Sequence, residues 1–221
     1  MAIQTISLDF WGTLVRANPA FKQAKISLVQ EHFQASLDPE QITESQRAVK
    51  LHYDQLVEAW GIQPTQATLY SDWLYRLGIT PEKYSFGHLE QFIDKYQATA
   101  YHFPALPYED RTTGTLKALA ENCKLVLISN TLFVSGNTLR AWLQALGWMD
   151  LFDQVIFSDE VALAKPDPRI FGLARQRPDI HVGDNPRTDA FGAQQAGISF
   201  IGVNGPYNHT LPDAYNSLTN G

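Results

Sequence analysis

Apolar residues gather in five short runs, at 3–8, 125–129, 154–157, 180–182 and 199–203, each of strand length and bounded by polar or turn-forming residues. Between the later runs apolar positions recur at helical spacing. Strand alternating with helix predicts an α/β fold, a parallel sheet with helices on both faces. The interval between the first and second runs carries no strand signal. It holds four stripes at helical spacing: Phe21, Ala24 and Leu28; Val49, Tyr53, Leu56 and Trp60; Leu69, Trp73 and Leu77; Phe86, Leu89, Ile93 and Tyr96. Four amphipathic helices burying these faces together would make an inserted all-helical unit.

Helix starts are marked by a capping side chain before a proline suited to the first helical position, at Asn18-Pro19, Asp38-Pro39 and Thr80-Pro81. Gly78 is expected to end the third helix. The same device recurs at Asp167-Pro168 and Asn185-Pro186, beside residues with chemical potential. After Gly205 the chain is polar and turn-rich, with one short helix expected near 214–218, and there is no internal repeat or low-complexity tract.

Composition narrows the function. A chain of 221 residues with 44% hydrophobic content can bury a sizeable core, as one large domain or a domain with an insertion. A formal charge of −6 without a Lys/Arg cluster argues against nucleic-acid and anionic-membrane partners and favours small molecules. The interior apolar run at 125–128 is far short of the roughly 18 residues a membrane span needs. The chain runs straight into a strand-like segment with no basic leader, and its one cysteine, Cys123, cannot form an internal disulfide. A cytoplasmic location is therefore expected.

Four segments carry chemistry. Asp9-Phe10-Trp11-Gly12-Thr13-Leu14 places a carboxylate at the end of the first strand, followed by a glycine turn and a hydroxyl. A carboxylate released from the C-terminal end of a buried parallel strand points into the crevice where open α/β sheets bind ligands, which suits a nucleophile. Leu127-Ile128-Ser129-Asn130, Ala164-Lys165-Pro166-Asp167 and Val182-Gly183-Asp184-Asn185-Pro186-Arg187-Thr188-Asp189 add a hydroxyl, a fixed cation and a pair of acids. That is the inventory for moving a phosphoryl group.

In this order and spacing the four segments resemble the motifs of the haloacid dehalogenase superfamily, mostly phosphatases with some dehalogenases and phosphotransferases, and the resemblance covers nearly the whole chain. It implies a Rossmann-like core at 1–16 and 104–221, with 17–103 as the helical cap that the first subfamily inserts after motif one. Carried over, Asp9 matches the nucleophile that forms an aspartyl-phosphate, and Thr13 the hydroxyl closing the motif. Ser129 matches the group that bonds the phosphoryl oxygens, followed by the Asn130 backbone N–H; Lys165 matches the charge-neutralising lysine. Asp184 and Asp189 match the acids of the magnesium site, which Asp9 and the Trp11 carbonyl would complete. The chemistry agrees, because Mg²⁺ takes hard oxygen ligands and tolerates few carboxylates when phosphate and water supply the rest. Asp189, about one helical turn beyond Asp184, could instead orient Lys165 or a metal-bound water.

One position departs from the pattern. Most phosphatases of the superfamily carry a second aspartate two residues after the nucleophile, to protonate the leaving oxygen; here Trp11 stands there, and an indole does not titrate near neutral pH. Three readings follow: an Mg²⁺-dependent phosphohydrolase acting on a small phosphorylated molecule, a metal-independent dehalogenase, or a phosphate-binding regulatory protein. Dehalogenases of the superfamily carry an aromatic tyrosine at this position, which explains Trp11, but they lack the metal-binding aspartate, which leaves Asp184 unexplained. His102, at the return from cap to core, could supply the missing acid or simply pack among aromatics. Arg16, Lys22 and Lys25 could meet a substrate anion or face solvent. The remaining histidines lack zinc spacing, Cys123 reads as a small buried hydrophobe, and Trp60, Trp73, Trp142 and Trp148 as packing residues.

Overall fold

The computed structural model describes residues 4–219. Residues 1–3 and 220–221 of the expected core, among them Ile3 of the expected first strand, lie outside them. The strands are β1 (Thr5–Leu8), β2 (Val15–Arg16), β3 (Leu106–Pro107), β4 (Lys124–Ser129), β5 (Gln154–Phe157), β6 (Ile180–Gly183) and β7 (Ser199–Gly202). Five form one sheet in the order β5-β4-β1-β6-β7, every pair parallel. All four residues of β1 are buried, as a central parallel strand covered on both faces requires. Period-2 alternation divides β4 between two cores: Leu125 and Leu127 pack with Ile6 and Leu8 on one face, Val126 and Ile128 with Ile170 and Phe171 on the other. β2 and β3, each too short to leave a sequence signal, form an antiparallel ribbon where the chain leaves the sheet region and returns.

The helices are α1 (Ala20–Phe33), α2 (Pro39–Trp60), α3 (Gln66–Arg76), α4 (Phe86–Tyr101), α5 (Thr112–Asn122), α6 (Gly136–Ala145), α7 (Ser158–Val161), α8 (Phe191–Gln195) and α9 (Leu211–Thr219). The first four share an apolar cluster built on Ile26, Val49, Trp73 and Phe92, closed by Phe133 from the loop after β4. That loop is tied to the helices by the Tyr70 hydroxyl and the Gln97 Nε2, each donating to the Phe133 carbonyl at 2.7 Å. Among the described residues no helix is long and apolar enough to cross a membrane.

Several stripes sit differently from expectation. The buried face of α1 is Ile26 and Val29, with Phe21 and Leu28 only partly covered. In α2 it runs through Ile42, Gln46, Val49 and Val57, and Leu56 and Trp60 are exposed, Trp60 to 71%. The last turns of α2 pass the ligand crevice, which Val57 and Glu58 line, and this turns Trp60 outward, so it is not a packing residue. Phe86 opens α4 on an exposed first turn, and Phe92 takes the core position beside Leu89 and Tyr96. Trp73, Trp142 and Trp148 are buried as expected, and Cys123 is half-buried against the core.

Capping is as read at Asn18 and Asp38, whose carboxamide and carboxylate oxygens accept from the Ala20 and Glu40 N–H groups at 3.0 Å. Thr80-Pro81 begins only a short 3₁₀ turn; the cap of α4 is Ser85, accepting from the His88 N–H at 3.2 Å. Gly78 follows α3 with φ +72°, a backbone that favours glycine.

Candidate active site

Asp9 follows β1 directly, at the strand where connections diverge to the two halves of the sheet and parallel sheets open a crevice. Its N–H donates to the Val182 carbonyl at 2.9 Å, so the neighbouring strand fixes its backbone. The chain then turns tightly: Leu14 and Val15 N–H groups return to the Phe10 carbonyl at 2.9 and 3.0 Å. Gly12, at φ +76°, is required twice over, because a Cβ there would stand 2.3 Å from Asp184 Oδ2. The turn brings the Thr13 hydroxyl onto Asp9 Oδ2 at 3.3 Å. Asn204 braces it from outside, its Nδ2 donating to the Gly12 and Thr13 carbonyls at 2.9 and 3.2 Å.

Lys165, 1% exposed, reaches Asp9 Oδ1 at 2.7 Å and Asp189 Oδ1 at 2.6 Å. Its backbone is clamped by the Asn130 carboxamide, which donates to the Lys165 carbonyl and accepts its N–H, both at 2.8 Å. Burial alone would lower its pKa, but Asp189 and Asp9 outweigh that and raise it, so the ammonium is fixed. Asp189 is committed on both oxygens: Oδ1 meets Lys165 and His181 Nε2, the latter at 3.1 Å, and Oδ2 accepts the Asn185 N–H at 3.0 Å. Burial would raise its pKa, yet Lys165 and His181 hold the carboxyl well below the usual range. An ionised carboxylate only accepts, so His181 Nε2 carries the proton and Nδ1 accepts from the Ser7 hydroxyl at 2.9 Å. Burial, opposed only in part by Asp189, keeps that ring neutral.

The three carboxylates crowd one point, with an oxygen from each of Asp9, Asp184 and Asp189 within 4.8 Å of the others. Burial pushes Asp9 up to about 7 against the pull of Lys165, with Asp189 and Asp184 adding repulsion. Burial and then Asp189 raise Asp184 to about 6. Three acids facing one ammonium, two of them buried and Asp184 partly so, leave negative charge that Lys165 does not fully compensate. This donor set of hard oxygens fits a divalent cation.

These groups line a cavity of about 590 Å³ to which residues from both apolar clusters also contribute. Of the expected site residues, Asp9, Trp11, Asn130, Lys165, Asp184 and Asp189 line it. Thr13 and Ser129 lie just behind: Thr13 touches Asp9, and the buried Ser129 hydroxyl donates to the Asn130 carbonyl at 3.3 Å. The Trp11 ring packs edge-on against Trp142 at 5.9 Å. His102 is exposed beside Tyr101 and takes no part in the lining, nor do the exposed Arg16 and Lys22, whereas Lys25 does. The turn after Asn185 offers no free helix end, because the Asn185 side chain already accepts the Arg187 and Thr188 N–H groups at 2.8 and 3.3 Å.

The sequence gives no role to Ser7, Asn204 and Glu58, and of His181 only that it lacks zinc spacing. Ser7 and His181 are register partners in adjacent strands, and a polar pair inside apolar strands was the available signal. Glu58 accepts from Arg187 Nη1 at 3.0 Å and from Asn185 Nδ2 at 3.4 Å, linking α2 to the turn beside Asp184. No sequence spacing marks that contact.

A parallel sheet flanked by helices, with a buried carboxylate, a lysine and further acids gathered at the crevice, puts these groups where open α/β sheets bind ligands. The chain belongs to the haloacid dehalogenase-like hydrolase family, whose model matches residues 3–197. It is 36% identical over 106 residues to a glyceraldehyde 3-phosphate phosphatase of Methanothermobacter thermautotrophicus, covering 44% of this chain and 45% of that one. The chain spans about half the length of the curated relatives it matches. The HAD-hydrolase YfnB from Bacillus subtilis bound to magnesium has the same fold, with TM-score 0.75, 17% identity, and 99% and 100% of the two chains covered. So does a 2-haloacid dehalogenase from Pseudomonas syringae, with TM-score 0.68, 22% identity and 99% of each chain covered.

Proposed function

We propose that the protein is an Mg²⁺-dependent phosphohydrolase that acts on a small phosphorylated molecule through an aspartyl-phosphate on Asp9. The observation that carries this reading is the meeting of Asp9, Lys165, Asp184 and Asp189 in one crevice, with an oxygen of each acid within 4.8 Å of the others and burial, then mutual repulsion, raising Asp9 and Asp184. Asp9, Asp184 and the Trp11 carbonyl would hold Mg²⁺, with Asp189 beside them. When bound, the ion would neutralise phosphoryl charge and the carboxylate crowding together.

Asp9 is the nucleophile: one oxygen forms the bond to phosphorus while the ester oxygen leaves, and water later releases phosphate. Lys165 holds one Asp9 oxygen at 2.7 Å and offers its ammonium to the equatorial oxygens. Asp189 aims Lys165, and the neutral His181 with Ser7 aims Asp189. Thr13 steadies the other Asp9 oxygen. Asn130 holds Lys165 in register; the Ser129 hydroxyl meets the phosphoryl group only after leaving the Asn130 carbonyl. Residues 17–103 act as a helical cap over a core of 1–16 and 104–221, closing to exclude water. The work is done in the cytoplasm. Trp11 provides no titrating group, so the enzyme favours substrates with good leaving groups and forgoes about 10²–10⁴-fold of acid–base assistance.

The phosphatase relative supports this reading; the dehalogenase likeness, at 22% identity, speaks only to fold. Dehalogenation accounts for Trp11 but leaves Asp184 without work. The test is release of phosphate from an aryl phosphate with Mg²⁺ and with chelator, in wild type and Asp9→Asn. Metal-dependent turnover lost in Asp9→Asn supports the proposal. Halide release from 2-chloropropionate without metal overturns it, as does tight binding of a phosphate mimic without turnover of any phosphate ester.

A further inference from the structure

The cavity that Asp9 lines also contains a cation with no counter-charge among the described residues, too far from Asp9 to be among the charges that act on it. Lys25, on α1, lines the cavity, and its ammonium donates to the Oε1 of Gln46, a neutral amide. Gln46 is itself buried and fixed by donating from Nε2 to the Tyr96 hydroxyl at 2.9 Å. The Phe21 ring lies 5.9 Å from the ammonium. Lys50 and Arg47, which also line the cavity, have acids of their own: Lys50 pairs with Asp54 at 2.5 Å and Arg47 with Glu44 at 3.5 Å. Among the described residues Lys25 forms no ion pair, and burial followed by repulsion from Lys22 lowers its pKa to about 8.

An ammonium withdrawn from water without an anion is costly, and a fold that keeps one in a ligand cavity leaves it available to an anion that arrives with the ligand. Tyr96 offers a second donor there. Its hydroxyl accepts from Gln46, gives its own proton to no acceptor among the described residues, and stays a neutral phenol because burial raises its pKa. One ammonium and one phenol match the single charge and two oxygens of a carboxylate. A second phosphoryl group would bring more charge and a third oxygen than this one ammonium and one phenol answer.

We propose that Lys25 and Tyr96 form a subsite for a carboxylate at the end of the substrate remote from Asp9, so that the substrate is a small phosphorylated hydroxy acid. This rests on the phosphohydrolase reading for which end of the ligand faces Asp9, and is tested by binding rather than turnover. Calorimetry in Mg²⁺ would compare 3-phosphonopropionate with propylphosphonate, which lacks the carboxylate, in wild type, Lys25→Met and Lys25→Arg. The wild type is expected to favour the carboxylate ligand by about 10–100-fold, as a charge-assisted hydrogen bond gives. Lys25→Met is expected to bring that ratio near unity, and Lys25→Arg to retain most of it. Equal wild-type affinities overturn the subsite on their own, without reference to any variant, and so does a preference that survives Lys25→Met. Tighter, Lys25-dependent binding of ethane-1,2-bisphosphonate overturns the choice of carboxylate. Aryl phosphate turnover by the same wild-type preparation reports separately on the phosphohydrolase reading.

Discussion

Replacing Asp184 with Asn is expected to stabilise the metal-free protein while removing its response to magnesium. Burial and the neighbouring Asp189 lift Asp184 from an ordinary 3.8 to about 6. Two pKa units correspond to about 3 kcal/mol, and the partial exposure of Asp184 screens this to about 1–2 kcal/mol. A group with a raised folded-state pKa costs nothing below the unfolded value, and its penalty grows as pH rises through the folded one. The advantage of Asp184→Asn should therefore be absent near pH 4 and full above pH 6. Urea melts in chelator at several pH values would measure it, as would a thermal midpoint raised by about 2–8 °C at pH 7.5. Added Mg²⁺ should then stabilise the wild type and leave the variant unchanged. A variant less stable than wild type at pH 7.5 in chelator, or one that still gains from Mg²⁺, would refute the electrostatic account of this site.

Three further substitutions probe single links. Trp11→Asp restores a titrating group two residues after the nucleophile and should raise steady-state phosphatase turnover; equal or lower turnover in a folded variant counts against that role for the position. Gly12→Ala places a methyl 2.3 Å from Asp184 Oδ2 at φ +76°, so it should cost about 1–3 kcal/mol of stability and most Mg²⁺-dependent activity. Wild-type values in both assays would discredit the close approach. His181→Phe removes the donor to Asp189 Oδ1 and should lower kcat about 10-fold with little change in KM, the pattern of lost alignment. A change confined to KM would contradict it.

The sheet was legible because buried parallel strands are short uninterrupted apolar runs, and the runs at 125–129 and 154–157 lie within β4 and β5. Asp9, Asn130 and Asp184 were legible because each follows a strand end, where a polar residue after an apolar run stands out; Lys165 and Asp189, in the loop after α7 and the turn after Asn185, were legible only by their place in the ordered set of four segments. Less could be read where partners come from distant elements. The orientation of α2 is set by the crevice that Val57 and Glu58 face, so periodicity alone misplaced Trp60. His181 looked isolated because its partners, Ser7 and Asp189, are joined to it by strand register and a turn. Lys25 was visible as a cation after motif one, but the buried Gln46 and Tyr96 that hold it come from α2 and α4.

The most direct measurement is acid-quenched mass spectrometry of the Asp9 peptide during turnover of an aryl phosphate with Mg²⁺. With Trp11 in place of a titrating group, release of phosphate should be slow, so a phosphoryl adduct on Asp9 is expected to accumulate and to be missing from Asp9→Asn. Continued turnover with no adduct on Asp9, or undiminished turnover by Asp9→Asn, would contradict the account.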